Sequence, residues 1–203
     1  METYERSSAL SQTGVTARFA SALFFATATA VCARLAFHLW YTPIPVTLQV
    51  LGVILSGLVL GKKWGAVSQI QYLVLGLMGF PVFAGGLAGP AAFAAPDGGY
   101  LFGFVAGAYL AGYVYEILKE RTSFAAWIAG TAGMLGVYAL GASWLAIWLG
   151  FAAGRSLQGS IAGAWQLGIV PFIGIDFLKA MAASALAFGG RSGRGVFEAV
   201  RNL

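Results

Sequence analysis

The sequence predicts an all-α integral membrane protein of six transmembrane helices with both termini cytoplasmic. Three observations predict it. First, the 203-residue chain is 59% hydrophobic and only 9% charged, with a mean hydropathy of +0.80. Soluble domains carry about 25% charged residues, so this chain lacks the polar surface that water demands. Second, the apolar residues gather into six stretches, to be measured against the roughly 20 residues a helix needs to cross a hydrocarbon core of about 30 Å. Third, lysine and arginine fall on alternate connections. Strict apolar–polar alternation is absent, which argues against a membrane barrel. Backbone in hydrocarbon must satisfy its own hydrogen bonds, so helices follow.

The elements run in order. Residues 1–16 are polar and include Glu2 and Glu5, with no small-residue cleavage site after a short apolar run, so they read as a cytoplasmic tail rather than a removed signal. The expected spans are Ala17–Trp40, Thr47–Leu60, Trp64–Phe80, Gly99–Leu118, Phe124–Gly150 and Ile169–Phe188. The second is short, bounded by Pro45 and by Gly61-Lys62-Lys63, and invites tilting or extension by its flanks. Residues 190–203 form a second cytoplasmic tail, and 1–203 is a single membrane domain with no internal repeat.

Arg6, Arg18, Lys62, Lys63, Lys119, Arg121, Arg191, Arg194 and Arg201 all fall on one side if the chain crosses six times. The other side holds Arg155, with Arg34 near the end of the first span. This asymmetry puts both termini in the cytoplasm. The net charge of +5 is spread over span ends rather than clustered, which excludes nucleic acid as a partner. The outer connections are Tyr41–Thr47, with Pro43 and Pro45, and the segment 81–98, with four glycines and three prolines including Pro81. Such stretches cannot continue a helix. They suit either a plain connector or close backbone approach to a ligand.

Asp176 and Lys179 lie three residues apart in the last span, on one helix face and within reach of each other. Charges at membrane depth are costly and usually mark a site. A structural ion pair is the alternative, but desolvation can exceed the Coulombic gain of a buried pair, which favours a polar ligand beside them. Acceptor oxygens and an ammonium together suit a ligand with N–H and C=O or carboxylate groups. Thr47 and Gln49 stand near the outer end of a span, where they touch ligand or cap the helix. Tyr100, after Gly98-Gly99, serves a site or an interfacial aromatic belt. Ala22, Ala26 and Ala30 form a stripe at spacing four that packs internally or offers a partner face, while Gly103 and Gly107 read as packing residues. His38 has no Cys/His/carboxylate cluster around it, so no metal site is expected. Cys32 reads as a packed small residue. No Gly-x-x-x-x-Gly-Lys loop is present, so ATP-driven transport would need another subunit.

The ordered set Thr42-Pro-Ile-Pro-Val-Thr47-Leu-Gln49, Gly79-Phe-Pro-Val-Phe-Ala-Gly85-Gly86, Gly98-Gly99-Tyr100-Leu-Phe-Gly-Phe, then Pro171 with Asp176 and Lys179, resembles the BioY family, the biotin-binding S components of energy-coupling factor transporters. The resemblance runs from Ala33-Arg34-Leu35 to the last span. It implies a six-helix S-component fold in the bacterial cytoplasmic membrane, with a biotin cavity open outward under a lid formed by the first outer loop. It implies that Thr47, Gln49, Gly85, Gly86, Tyr100, Asp176 and Lys179 bind substrate. Asp176 would accept from a ureido N–H and Lys179 would donate to an oxygen. Some relatives carry an amide side chain where this chain has Ala84-Gly85-Gly86-Leu87. The resemblance also implies that Ala22, Ala26 and Ala30 face a transmembrane coupling subunit, with two cytoplasmic ATPases as further partners and no cofactor.

Two other readings stand beside it. An S component for a different small vitamin would share the architecture. An intramembrane enzyme would need facing carboxylates or a nucleophile–base pair at depth. Only Asp176 is clearly at depth, with Asp97 in a loop and Glu116 near a cytoplasmic end, so no enzyme is expected.

Overall fold

In the computed structural model the backbone is described for residues 2–118 and 122–192, and side chains for 14–118 and 122–189. The helices are α1 (Glu2–Arg34), α2 (Gln49–Leu77), α3 (Ala91–Ala94), α4 (Gly98–Ile117), α5 (Ser123–Ala152), α6 (Leu157–Gly168) and α7 (Ile173–Ser192). Two short strands, β1 (Ala36–Phe37) and β2 (Val46–Thr47), pair antiparallel with Ala36 opposite Thr47. Among the described residues four helices are long and apolar enough to cross a membrane, or five if α6 and α7, bent by 50°, form one span.

Helix α1 starts at Glu2, ahead of the expected span at Ala17, and stops at Arg34, short of Trp40. The chain turns there because Ala36 and Phe37 pair with β2, and Trp40 stands 95% exposed on the loop between them.

The expected second and third spans are joined in α2 with no loop. Gly61 alone breaks the helix, at φ +79° and ψ 174°, a left-handed backbone that glycine adopts without strain. The two halves fold back on each other. Gln49 reaches Tyr72, Ser56 reaches Gln69, and a Cβ on Gly65 would stand 2.7 Å from the Cα of Gly57. Partners lie closer in sequence as Gly61 is approached, the signature of an antiparallel hairpin. Glu116 clamps its tip, accepting from the Lys62 amide at 3.2 Å and pairing with its ammonium at 2.9 Å.

Helices α4 and α5 pack through glycines. A Cβ on Gly103 would stand 2.7 Å from the Val137 carbonyl oxygen, and Gly107 and Gly133 press on each other's carbonyls. These glycines allow close helix approach. Thr122 caps α5, its hydroxyl accepting from the Ala125 amide. Helix α6 occupies what reads in sequence as an outer loop. Ser156 caps it by accepting from the Gly159 amide, and its apolar side chains Leu157, Ile161 and Trp165 face outward.

The molecule has two distinct ends. At one, Phe19 packs edge-on against Trp64 at 5.0 Å, Lys62 meets Glu116, and Ser184 donates to the Ser123 carbonyl. At the other, Arg34 donates to the Pro81 carbonyl at 2.6 Å and Tyr100 to that of Gly168 at 2.7 Å. Arg18, Lys62 and Lys63 thus share the first end, opposite Arg34 and Arg155. Lys119, Arg121, Arg194 and Arg201 lie outside the described residues, as do the side chains of Arg6 and Arg191.

The alanine stripe of α1 faces inward within this chain. Ala22 and Ala26 are 0% exposed, and Ala30 is half-buried against the core. With Thr29 and Ala33 they form the inward side of α1.

Candidate ligand-binding site

The end defined by Arg34 and Tyr100 holds a cavity of about 620 Å³, counted out to its open mouth. Each wall follows from local sequence. Pro43 and Pro45 keep the first outer loop from continuing α1, and β1–β2 pairing folds it over the opening, where Ile44, Pro45 and Thr47 line the cavity. The break at Gly61 returns α2 alongside itself, so Gln49 at its start and Tyr72 near its end meet at one level. The glycine-rich segment 79–89 supplies Phe83, Ala84 and Leu87. Helix α4 gives Tyr100, Leu101 and Phe104, α5 gives Val137 and Tyr138, and α7 gives Asp176 and Lys179.

Phe83 holds its place through a missing side chain. A Cβ on Gly76 would fall 1.9 Å from the Phe83 Cζ. The ring stands edge-on to Tyr72 and to Phe93, each at 5.5 Å, the arrangement that aromatic quadrupoles favour.

Asp176 and Lys179 are 2% and 5% exposed. The Lys179 ammonium donates to Asp176 Oδ1 at 2.5 Å, and the Tyr138 hydroxyl donates to Oδ2 at 2.7 Å. The carboxylate therefore has a charged and a neutral donor, one on each oxygen. Two of the three ammonium protons stay available to an oxygen-bearing ligand.

A second polar chain runs along the opposite wall. Thr47 Oγ1 donates to Gln49 Oε1 at 2.9 Å, Gln49 Nε2 donates to Tyr72 at 2.6 Å, and the Tyr72 hydroxyl donates to the Val82 carbonyl at 3.1 Å. Thr47 also accepts from the Gln49 amide, which fixes the first turn of α2. Gln49 keeps one amide proton unspent. The site thus offers donors from both walls around an apolar middle, a layout that orients a small ring with both N–H and C=O groups.

Five of the residues singled out from sequence come together here: Thr47, Gln49, Tyr100, Asp176 and Lys179. Tyr100 is inside, with its ring against Gly141 and its hydroxyl on Gly168, and is not an interfacial belt residue. Gly85 and Gly86 are not in the lining. They have φ of +68° and +78° and form the turn that carries Ala84 and Leu87 to the wall. Tyr138 and Asp97 line the cavity and were not anticipated as binding residues. The signal for Tyr138 was a hydroxyl in an otherwise apolar span, and for Asp97 a carboxylate directly ahead of Gly98-Gly99-Tyr100. Among the described residues no group of three His, Cys, Asp or Glu side chains could hold a metal.

Comparison with known proteins adds independent information. Residues 5–194 match the model of the BioY family. The chain is 40% identical over 146 residues to the biotin transporter BioY of Thermotoga maritima, covering 71% of this chain and 79% of that protein. It is 34% identical over 175 residues to the biotin transporter BioY of Rhizobium etli, covering 82% and 88%. Among solved structures it resembles the S-component for biotin from an ECF-type ABC transporter, with a TM-score of 0.76 and 28% identity over 90% of this chain and 94% of that one.

Proposed function

The chain belongs to the BioY family, and from that membership we propose that it is a biotin-binding S component that takes up biotin across a cell membrane. The observation that supports this is the convergence of Thr47, Gln49, Tyr100, Asp176 and Lys179 on one cavity. In this reading Asp176 accepts from a ureido N–H and Lys179 donates to a ligand oxygen. Gln49 donates from the facing wall, and Phe83, Leu101 and Phe104 enclose the apolar part of the ligand. Gly85 and Gly86 shape the wall without touching it. The loop through Thr42–Pro45 is the lid, since Thr42 Oγ1 donates to the Leu167 carbonyl at 2.6 Å and so ties it to α6.

The protein is a multi-pass membrane protein, and we read six crossings: α1, the two arms of α2, α4, α5, and α6 with α7 as one bent span. Both termini are then cytoplasmic and the cavity opens outward, consistent with Arg18, Lys62 and Lys63 at the end away from the cavity. The nearest energy source for release inward is a coupling subunit with two cytoplasmic ATPases. A ligand alone cannot drive a conformational cycle, because it shifts an equilibrium only by its differential affinity for the two states.

Equilibrium binding of biotin to the detergent-purified protein tests the reading, with biotin methyl ester and thiamine as competitors. Tight binding of biotin that thiamine does not displace is the expected result. Displacement by thiamine, or no biotin binding by a folded sample, would overturn the ligand assignment and leave the S-component architecture in place.

A further inference from the structure

Three charged side chains line the cavity: Asp97, Asp176 and Lys179. Two of them are spent on each other. Lys179 lies 2.5 Å from Asp176, which Tyr138 also holds. Asp97 is different. It stands at the N-cap position of α4, yet its side chain accepts no capping hydrogen bond from the helix. No cation pairs with it at ion-pair distance among the described residues. The cavity as built therefore holds one net negative charge whenever Asp97 is ionised.

That charge conflicts with the ligand. Biotin carries a carboxylate, and bringing a second anion into a largely apolar cavity beside an unpaired first one is unfavourable. Two like charges about 8 Å apart at an effective dielectric near 20 would repel by a factor of about thirty in affinity. The conflict is removed by neutralising Asp97. We propose that Asp97 makes binding of an anionic ligand proton-coupled: its carboxylate takes one proton from the outer solution as the ligand enters, while an uncharged ligand enters without one. The inference rests on the biotin reading above.

The surroundings favour this step. Burial pushes the Asp97 carboxyl up from its ordinary value, against smaller lowering effects from its own backbone amide and from His38. The groups that face it are His38 from the first outer loop, Tyr72 from α2 and Tyr100 from its own helix, and Asp176 and its partner Lys179, from α7, line the same cavity. An aliphatic carboxylate ligand stays ionised between about pH 5.5 and 8.5. The sign follows. Protonated Asp97 admits the anion, so affinity is highest at low pH and is lost as pH rises through the Asp97 titration. The ligand's own charge moves that titration further upward.

The test measures the affinity of the purified protein for biotin and for biotin methyl ester across that window, with proton uptake read by calorimetry in buffers of different ionisation enthalpy. The expected result is biotin binding that weakens from pH 6 to pH 8, an ester affinity flat to within about twofold, and proton uptake with biotin only. Asp97→Asn, its fold checked by thermal unfolding, should bind biotin without pH dependence. His38→Gln should keep the biotin slope. Tight biotin binding with a flat profile, equal slopes for biotin and ester, or a slope that survives Asp97→Asn would each overturn the proposal while leaving the biotin reading standing. Failure of both ligands to bind would overturn the two together.

Discussion

Removing Lys179 alone should damage the protein more than removing Lys179 and Asp176 together. The two charged groups are 6% and 3% exposed and bonded at 2.5 Å, so solvent screens neither of them. Lys179→Met leaves the carboxylate with only the Tyr138 hydroxyl, and Asp176→Asn leaves the ammonium without its anion. Stranding one member of a buried pair costs about 3–5 kcal/mol. In a chain of this size 1 kcal/mol moves the midpoint by about 2–4 °C, so each single variant should melt about 10 °C lower. The double variant strands nothing, and the amide introduced at position 176 still accepts from Tyr138. Replacing both members of such a pair is often close to neutral. The double variant should therefore melt within a few degrees of the parent, giving a coupling energy of at least about 3 kcal/mol. The assay is thermal unfolding of ligand-free protein in one detergent. Losses that simply add in the double variant would refute the reasoning, because each charge would then be held by something other than its partner.

Two further outcomes follow from the cavity walls. Gly76→Ala puts a methyl where the Phe83 ring now lies, so it should cost about 1–3 kcal/mol by overpacking and weaken biotin binding, read by melting and by titration. Unchanged affinity would show that Phe83 is not a binding wall. Thr42→Val removes the bond from the first outer loop to Leu167. A hydrogen bond of this kind contributes about 1 kcal/mol, so ligand dissociation should quicken about fivefold in stopped-flow measurements, with little change in melting. An unaltered dissociation rate would remove Thr42 from any gating role.

The ends of the chain's elements were less legible in sequence than their existence. Apolar stretches announced helices in α1, α2, α4, α5 and α7, because a bilayer leaves the backbone no alternative. The stop at Arg34 was hidden, since Leu35–Trp40 is as apolar as a span and only pairing with Val46 and Thr47 ends the helix. Gly61-Lys62-Lys63 read as a connection, and one glycine proved enough to make it. Helix α6 was missed because its twelve residues are too few for a span and its glycines read as loop. In the site, Asp176 and Lys179 stood out because charge at depth is rare. Tyr138 did not, because a tyrosine among tryptophans and leucines reads as bulk until its hydroxyl finds a carboxylate. The alanine stripe shows the limit of spacing: it marks a close-packing face but not which neighbour packs there.

The helices that carry the cavity differ greatly in length. At 1.5 Å per residue the thirty-residue α5 extends about 45 Å, while the arms of α2 on either side of Gly61 extend roughly 18 and 24 Å. No single bilayer thickness suits both. In the six-crossing reading proposed above, lipid thins beside the hairpin and thickens or tilts beside α5, each at a fraction of a kcal/mol per ångström. Because Gln49 and Tyr72 sit on the short arms and Tyr138 on the long helix, a change in acyl chain length acts on the two walls of the cavity in opposite senses. The membrane's composition is then a variable of the binding site itself, and affinities measured in detergent belong to one setting of it.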